Sequence, residues 1–246
     1  MDKLIYTAMT SGTHTMEQMD TTTHNLANAS TDGFRAQLDS FRAVPVVSTD
    51  LPVQSFVVDS TIGADMSPGG IRQTDRPLDV AIQGSGWLVV QTADGKEAYT
   101  RSGSLKVDPN GLLQTQDGLS VLSDSGTISL PPDELVSFSK DGTVSSIPAG
   151  NKVANGTLIA RLKLVNPPEN TLVRGDDGLF RTKDGVAADA DAGVTVVGGA
   201  IEGSNVSVVE SMVSMISLAR QFDMHMKLLT SAQSDDEKAS QILSLS

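Results

Sequence analysis

Residues 87–118 read WLVVQTADGKEAYTRSGSLKVDPNGLLQTQDG and place three turn pairs between short apolar segments. The pairs are Asp94-Gly95, Asn110-Gly111 and Asp117-Gly118. Asp-Gly and Asn-Gly tolerate the positive φ angles of tight hairpin turns, and short apolar runs between such turns are typical of strands. This stretch therefore predicts consecutive antiparallel strands.

The same pattern continues toward the C-terminus, where four further pairs follow at Asp141-Gly142, Asn155-Gly156, Asp177-Gly178 and Asp184-Gly185. Short apolar segments such as residues 157–160 lie beside them. Turn signals repeated at this spacing indicate an antiparallel β domain. We expect a central antiparallel all-β domain over residues 80–202.

The two ends of the chain have a helical period. Apolar residues recur there at intervals of three and four, which is the spacing of a helix that packs along one seam. We therefore expect helical arms at residues 1–35 and 203–246. The predicted fold class is mixed α and β, with the long N- and C-terminal helices pairing as a coiled-coil-like arm beside the β domain.

The seam residues of both arms are predicted to form an assembly interface. Two wide apolar faces are more than one helix pair can cover, which favours additional neighbours. The same pattern would also suit helices that pack only on their own domain. The predicted interface residues are Ile5, Met9, Met16, Met19, Leu26, Val208, Met212, Met215, Ala219, Phe222, Met226 and Leu229.

Residues 36–79 carry four prolines and little periodicity. Proline fixes φ and removes a backbone donor, so a stretch of this kind favours an extended connector. We expect this segment to join the first arm to the β domain.

Composition excludes several classes of function. The chain has 246 residues, a net charge of −12 and no cysteine. An acidic surface repels phosphate backbones, so no nucleic-acid partner is expected, and disulfides and zinc–thiolate sites are excluded. The N-terminus lacks the pattern of a cleaved signal peptide, and no apolar run approaches the roughly 20 residues of a membrane-spanning helix, so no membrane insertion is expected.

Catalytic and metal-binding patterns are equally weak. The three histidines, His14, His24 and His225, all lie in the arms, so the β domain has no histidine for a Ser-His-Asp system or a metal site. Residues 189–193 resemble the start of a calcium loop, but Val194 stands where that loop needs glycine. We expect no enzyme activity, no metal and no cofactor.

Four segments, in chain order, resemble the flagellar rod and hook proteins. Asn25-Leu26-Ala27-Asn28 followed by Gly33-Phe34 is similar to the family's N-terminal signature. Residues 76–87, residues 99–113 and residues 199–206 are similar to its later motifs, in that order. Residues 2–9, residues 42–46 and the chain length are most similar to the proximal-rod proteins, with distal-rod or hook-type proteins as the alternative.

The resemblance implies a structural subunit that is exported unfolded by the flagellar type III apparatus, without a cleaved signal. Such subunits assemble in the periplasm with copies of themselves and with neighbouring rod proteins, where their terminal helices form the export channel and transmit torque. The motif residues Asn25–Asn28 would end the first helix, and Gly33-Phe34 would act as a hinge. A periplasmic β-domain binding protein is the less favoured alternative.

Overall fold

The computed structural model describes residues 2–45, 55–59, 63–131, 134–148 and 156–244. Within these ranges the chain forms two α-helices, α1 at Asp2–Ala27 and α2 at Val208–Ser244, and one 3-10 turn at Glu169–Thr171. The strands are β1 Gln37–Leu38, β2 Phe41–Pro45, β3 Ser55–Asp59, β4 Gly63–Ala64, β5 Ile71–Gln73, β6 Val80–Gln83, β7 Trp87–Gln91, β8 Glu97–Thr100, β9 Leu105–Val107, β10 Leu113–Thr115, β11 Ser120–Ser123, β12 Gly126–Thr127, β13 Glu134–Phe138, β14 Thr143–Pro148, β15 Thr157–Arg161, β16 Leu164–Val165, β17 Leu172–Arg174, β18 Phe180–Thr182, β19 Thr195–Gly198 and β20 Ala200–Glu202.

The chain divides into two units. A helical unit contains residues 1–29, 37–62 and 206–246, and a β unit contains residues 30–36 and 63–205. The domain boundaries expected from the sequence stay predictions. Residues 46–54 and 60–62 of the expected connector lie outside the described residues.

The β unit is built around one large antiparallel sheet with the strand order β17-β18-β8-β7-β11-β10-β9. Four consecutive residues of its central strand β7 are buried. Because successive side chains point to opposite sides of a strand, β7 is buried on both faces. Leu88 and Val90 belong to one apolar core, whereas Trp87 and Val89 belong to the other. Smaller sheets add β13-β14-β15, β19-β6 and β20-β5.

The predicted turn glycines adopt the required backbone conformation in six pairs. Their φ values lie between 66° and 86°, a range that residues with a Cβ rarely adopt. The six are Gly95, Gly111, Gly118, Gly142, Gly178 and Gly185. In the seventh pair, Asn155 lies outside the described residues.

In the helical unit, α1 packs against α2 along a seam that differs from the predicted one. The most buried residues of α1 are small: Ala8, Gly12 and Thr15. Met9 and Met16, which were predicted to lie in the seam, are 54% and 53% exposed. Small side chains let helix backbones approach closely, because the distance between packed helices depends on the side chains at the contact.

The better-buried residues of α2 define its inner face. They are Ser211, Met215, Leu218, Phe222, His225 and Leu229, which recur at intervals of four and three. Three of these were predicted, whereas the predicted Met212 and Met226 are 50% and 44% exposed. Five of the twelve predicted seam positions are therefore displaced by one residue: Met9, Met16, Met212, Ala219 and Met226 each follow a better-buried residue.

The predicted fold class was wrong in two respects. The helices do pack together, but Met9, Met16, Met212 and Met226 are exposed, so the helices do not pair along the predicted seam. The strands also begin well before residue 80, since β2 already pairs antiparallel with β3. Pro45 is the last residue of β2 in a two-stranded sheet, where an edge position tolerates proline.

Candidate assembly surface and connecting segment

Helix α2 has a second apolar face, which we call its outer face. It consists of Val209, Val213, Ile216, Met224 and Leu228, whose side chains are between 52% and 73% exposed. At about 100° of rotation per residue, these positions lie on the side of the helix opposite its inner face. The helix therefore has large apolar side chains on two opposite sides, with Arg220 and Lys227 among those of the outer face, and only the inner face packs against α1.

Helix α1 also presents large side chains away from its partner helix. Tyr6, Met9 and Met16 are between 53% and 62% exposed. Their spacing of three and seven residues places them on one stripe of the helix. The helical unit thus exposes large apolar side chains on both of its helices.

The predicted interface residues fall into two groups. Ile5, Met19, Leu26, Met215, Phe222 and Leu229 are half-buried, whereas Met9, Met16, Val208, Met212, Ala219 and Met226 are exposed. The outer face of α2 was not among the predicted interface residues, and its spacing of four, three, eight and four residues is interrupted at Arg220. Whether either group forms the assembly interface stays a prediction.

The end of α1 is held by the asparagines of the Asn25–Asn28 motif. The side-chain amide of Asn25 makes two bonds to the backbone of Gln37: Oδ1 accepts from its N–H at 2.7 Å, and Nδ2 donates to its carbonyl at 2.9 Å. The His24 carbonyl accepts from both the N–H of Asn28, at 3.2 Å, and its side-chain Nδ2, at 3.0 Å. Ala27 is the last residue of α1.

Gly33 lies in the β unit and meets the backbone of residues 101–102 there. Its φ is +71°, the positive value expected for a bend at this glycine. Its N–H donates to the Glu202 carbonyl at 2.7 Å. A Cβ at this position would lie 2.3 Å from the carbonyl carbon of Arg101, so the backbone conformation and the available space both require glycine.

Phe34 follows directly and is 6% exposed. The guanidinium of Arg174 lies over its ring at 4.5 Å from the centroid, a cation–π contact. Phe34 therefore anchors the segment that leads from α1 into the β unit.

Next to Phe34, the buried carboxylate of Glu202 is paired with two arginines. Nη2 of Arg35 lies 2.7 Å from Oε1 of Glu202, close in distance but not aligned as a hydrogen bond, whereas Nη1 of Arg101 donates to Oε2 at 2.8 Å. Both guanidinium groups face the Trp87 ring, at 6.0 Å and 5.4 Å from its centroid. Burial lowers the pKa of Arg101, and the charge of Glu202 opposes that change.

The sequence analysis gave no role to these three charged residues. Arg101 and Glu202 stood inside quoted motifs, but no local pattern reveals a contact between residues 101 positions apart. Charged residues are rarely fully buried unless paired, but neither the polar neighbours of Arg101 nor those that follow Glu202 mark these two as buried.

Neither a metal site nor a membrane span is found in the part of the chain that the structure describes. Among those residues, no group of three His, Asp or Glu side chains could hold a metal ion. No described helix is long and apolar enough to cross a membrane. His14 instead pairs with Glu17 one helical turn away, at 2.9 Å.

Comparison with known proteins assigns the chain to a family. Residues 81–146 match the D1 domain of the flagellar hook protein FlgE/F/G family, and residues 197–242 match the C-terminal domain of the flagellar basal body rod FlgEFG proteins. The chain is 46% identical to the flagellar basal-body rod protein FlgF of Escherichia coli over 252 residues, with 100% of both chains covered.

Two further relatives agree. The FlgF protein of Salmonella typhimurium is also 46% identical, with 100% of both chains covered. A flagellar basal-body rod protein FlgG of Buchnera aphidicola is 28% identical, over 91% of this chain and 93% of its own length. The chain therefore belongs to the flagellar basal-body rod proteins and, among them, is most like FlgF.

Proposed function

We propose that this chain is a structural subunit of the proximal rod of the bacterial flagellar basal body. It assembles there with copies of itself and with other rod proteins through its terminal helices. The observation that carries this proposal is the presence of two opposite apolar faces on α2, of which α1 covers one. The chain is 46% identical to FlgF of Escherichia coli over the full length of both proteins and 28% identical to FlgG of Buchnera aphidicola, which supports a subunit of the proximal rod rather than a FlgG-like subunit.

The physical argument rests on the cost of leaving the outer face in water. Val213 and Ile216 are 62% and 56% exposed. Fully burying a side chain of this size contributes about 1.5–3 kcal/mol. A surface helix normally has one apolar stripe, and a helix that is apolar on both sides is one that becomes buried on both sides. Neighbouring subunits would supply the second covering surface.

The proposal also covers how the subunit is exported and where it assembles. The subunit is exported by the type III apparatus without a cleaved signal, enters the rod in the periplasm, and helps to enclose the export channel and transmit torque. Its role is structural rather than catalytic. The acidic composition supports partners other than nucleic acid.

The test places negative charge on the outer face. A strain that makes only the Val213→Glu/Ile216→Glu variant should lose swimming and complete few basal bodies, because unpaired charges would have to be buried at the contact. The purified variant should unfold at the same temperature as the parent, since both side chains are exposed in the free protein.

Val186→Glu is the matched control, because Val186 is 68% exposed but lies in the β unit. That variant should swim nearly normally. Normal swimming and normal basal-body counts of the outer-face variant would contradict the proposal.

A further inference from the structure

The chain passes between its two units four times, after residues 29, 36, 62 and 205. Within the β unit, residues close to these four points are hydrogen-bonded to one another. We call residues 33–36, 65–69 and 202–205 the junction cluster.

Asn205 bonds three segments of this cluster through one side chain. Its Oδ1 accepts from the Ala36 N–H at 2.7 Å, and its Nδ2 donates to the carbonyls of Asp65 at 3.0 Å and Ser67 at 3.1 Å. Its own backbone N–H donates to the Phe34 carbonyl at 3.3 Å. This set of bonds needs one acceptor and two donors on a short side chain, which asparagine provides and aspartate does not.

Glu202 joins the same segments through charge. Its carboxylate accepts from the Gly69 N–H at 2.9 Å, and its carbonyl accepts from the Gly33 N–H. The paired Arg35 and Arg101 surround the carboxylate, and Glu202 is 1% exposed. Hydrogen bonds to an ionised group are stronger than neutral ones. Through Gly69 and Arg35, this carboxylate therefore holds residues 65–69 and 33–36 against β20, the strand that contains Glu202.

We propose that Glu202 and Asn205 are positioning residues for assembly, because they hold the connections to the helical unit together at one place in the β unit. A load applied along one connection is then shared by the others instead of stretching a single strand. The inference rests on the proposed function, because load passes between the units only in an assembled subunit.

The test begins with hydrogen exchange in the purified full chain carrying Asn205→Ala. The amides of Ala36 and Asp65 should exchange at least about tenfold faster, because their segments lose the bonds that hold them. The amide of Val89, in the central strand, should change less than about twofold. Asn166→Ala, at an exposed asparagine of the same unit, should leave all three amides unchanged.

Swimming of a strain that makes only the variant is the second readout. Asn205→Ala should reduce swimming, and Asn205→Asp should reduce it at least as much, because a carboxylate oxygen would then face the carbonyls of Asp65 and Ser67. Unchanged exchange at Ala36 and Asp65 would overturn the inference, as would equal acceleration at Val89, which indicates general destabilisation. Faster exchange with normal swimming would also overturn it.

Failure of the proposed function gives a different result. The outer-face variant, whose substitutions lie outside the junction cluster, would then swim normally. The exchange rates of Ala36 and Asp65 in the purified protein would still report whether the junction cluster exists.

Discussion

Replacement of Gly33 by alanine adds a single atom, Cβ, which is unfavourable for two reasons. The φ of +71° becomes unfavourable for a residue with a Cβ, at about 1–2 kcal/mol. The new Cβ would lie 2.3 Å from the Arg101 carbonyl carbon, so the segment must move away from residues 101–102. That movement breaks the 2.7 Å bond from the Gly33 N–H to the Glu202 carbonyl.

The two effects add to a measurable loss of stability. The broken hydrogen bond contributes about 0.5–1.5 kcal/mol, so we expect Gly33→Ala to lower the free energy of unfolding by about 1.5–3.5 kcal/mol. Trp87 is the only tryptophan and is buried beside Arg35 and Arg101, so its fluorescence reports unfolding of the β unit. In urea, the midpoint should fall by about 1 M or more.

Alanine substitutions at two other glycines show the effect of an added Cβ that meets no neighbouring atom. Gly118 has a φ of +86°, but no described atom lies within 4 Å of a Cβ built there, so Gly118→Ala measures the backbone cost alone. Gly12 lies inside α1 and also has no described atom within 4 Å of an added Cβ, so Gly12→Ala should stabilise the helix by about 0.5–1 kcal/mol. A loss for Gly33→Ala no larger than that for Gly118→Ala would refute the close-approach argument.

Three further predictions concern charges and helix ends. Glu202→Gln leaves two buried arginines without their counter-charge and should lower the free energy of unfolding by about 3–5 kcal/mol in urea titrations, whereas Asp177→Asn, at an exposed ion pair, should cost at most about 1 kcal/mol. A hydrogen bond from the neighbouring arginine lowers the pKa of Asp177. Its small stabilising contribution should therefore be present above the ordinary aspartate pKa of about 4, disappear as the pH falls through the lowered value, and be missing from the pH profile of Asp177→Asn. Asn25→Ala removes both bonds to the backbone of residue 37 and should cost about 1–3 kcal/mol, measured by helical circular dichroism, while Thr23→Ala, at an exposed position of α1, should cost much less.

The β unit was largely predictable because its signals are local. The apolar run at residues 87–90 and the Asp-Gly and Asn-Gly pairs each act over a few residues, and strands and turns form where those signals stand. Gly33 was also identified from its neighbours, and its positive φ agrees with that interpretation.

The helix seam was mispredicted because size was taken as the sign of burial. Met9 and Met16 fit a seven-residue frame, but the buried residues beside them are Ala8 and Thr15, which are 6% and 5% exposed. The spacing of apolar residues does not distinguish a large residue that packs within the subunit from one that remains exposed on it. Only the packing partner decides this.

The junction cluster could not be predicted because it depends on contacts between distant residues. Asn205 and Ala36 are 169 positions apart, and no periodicity relates them. Asn205 stands three residues before the first residue of α2, a position that favours a role at the helix start. Its side chain is instead bonded to Ala36, Asp65 and Ser67.

The central claim, that the outer face of α2 becomes buried in the rod, can be tested by thiol protection. The chain has no cysteine, so Val213→Cys and Val186→Cys each introduce a single thiol. In the purified protein, both thiols should react readily with a maleimide, because Val213 and Val186 are 62% and 68% exposed. In isolated basal bodies, the thiol at position 213 should be protected while that at position 186 still reacts. Equal labelling of position 213 in the free protein and in basal bodies would contradict the account.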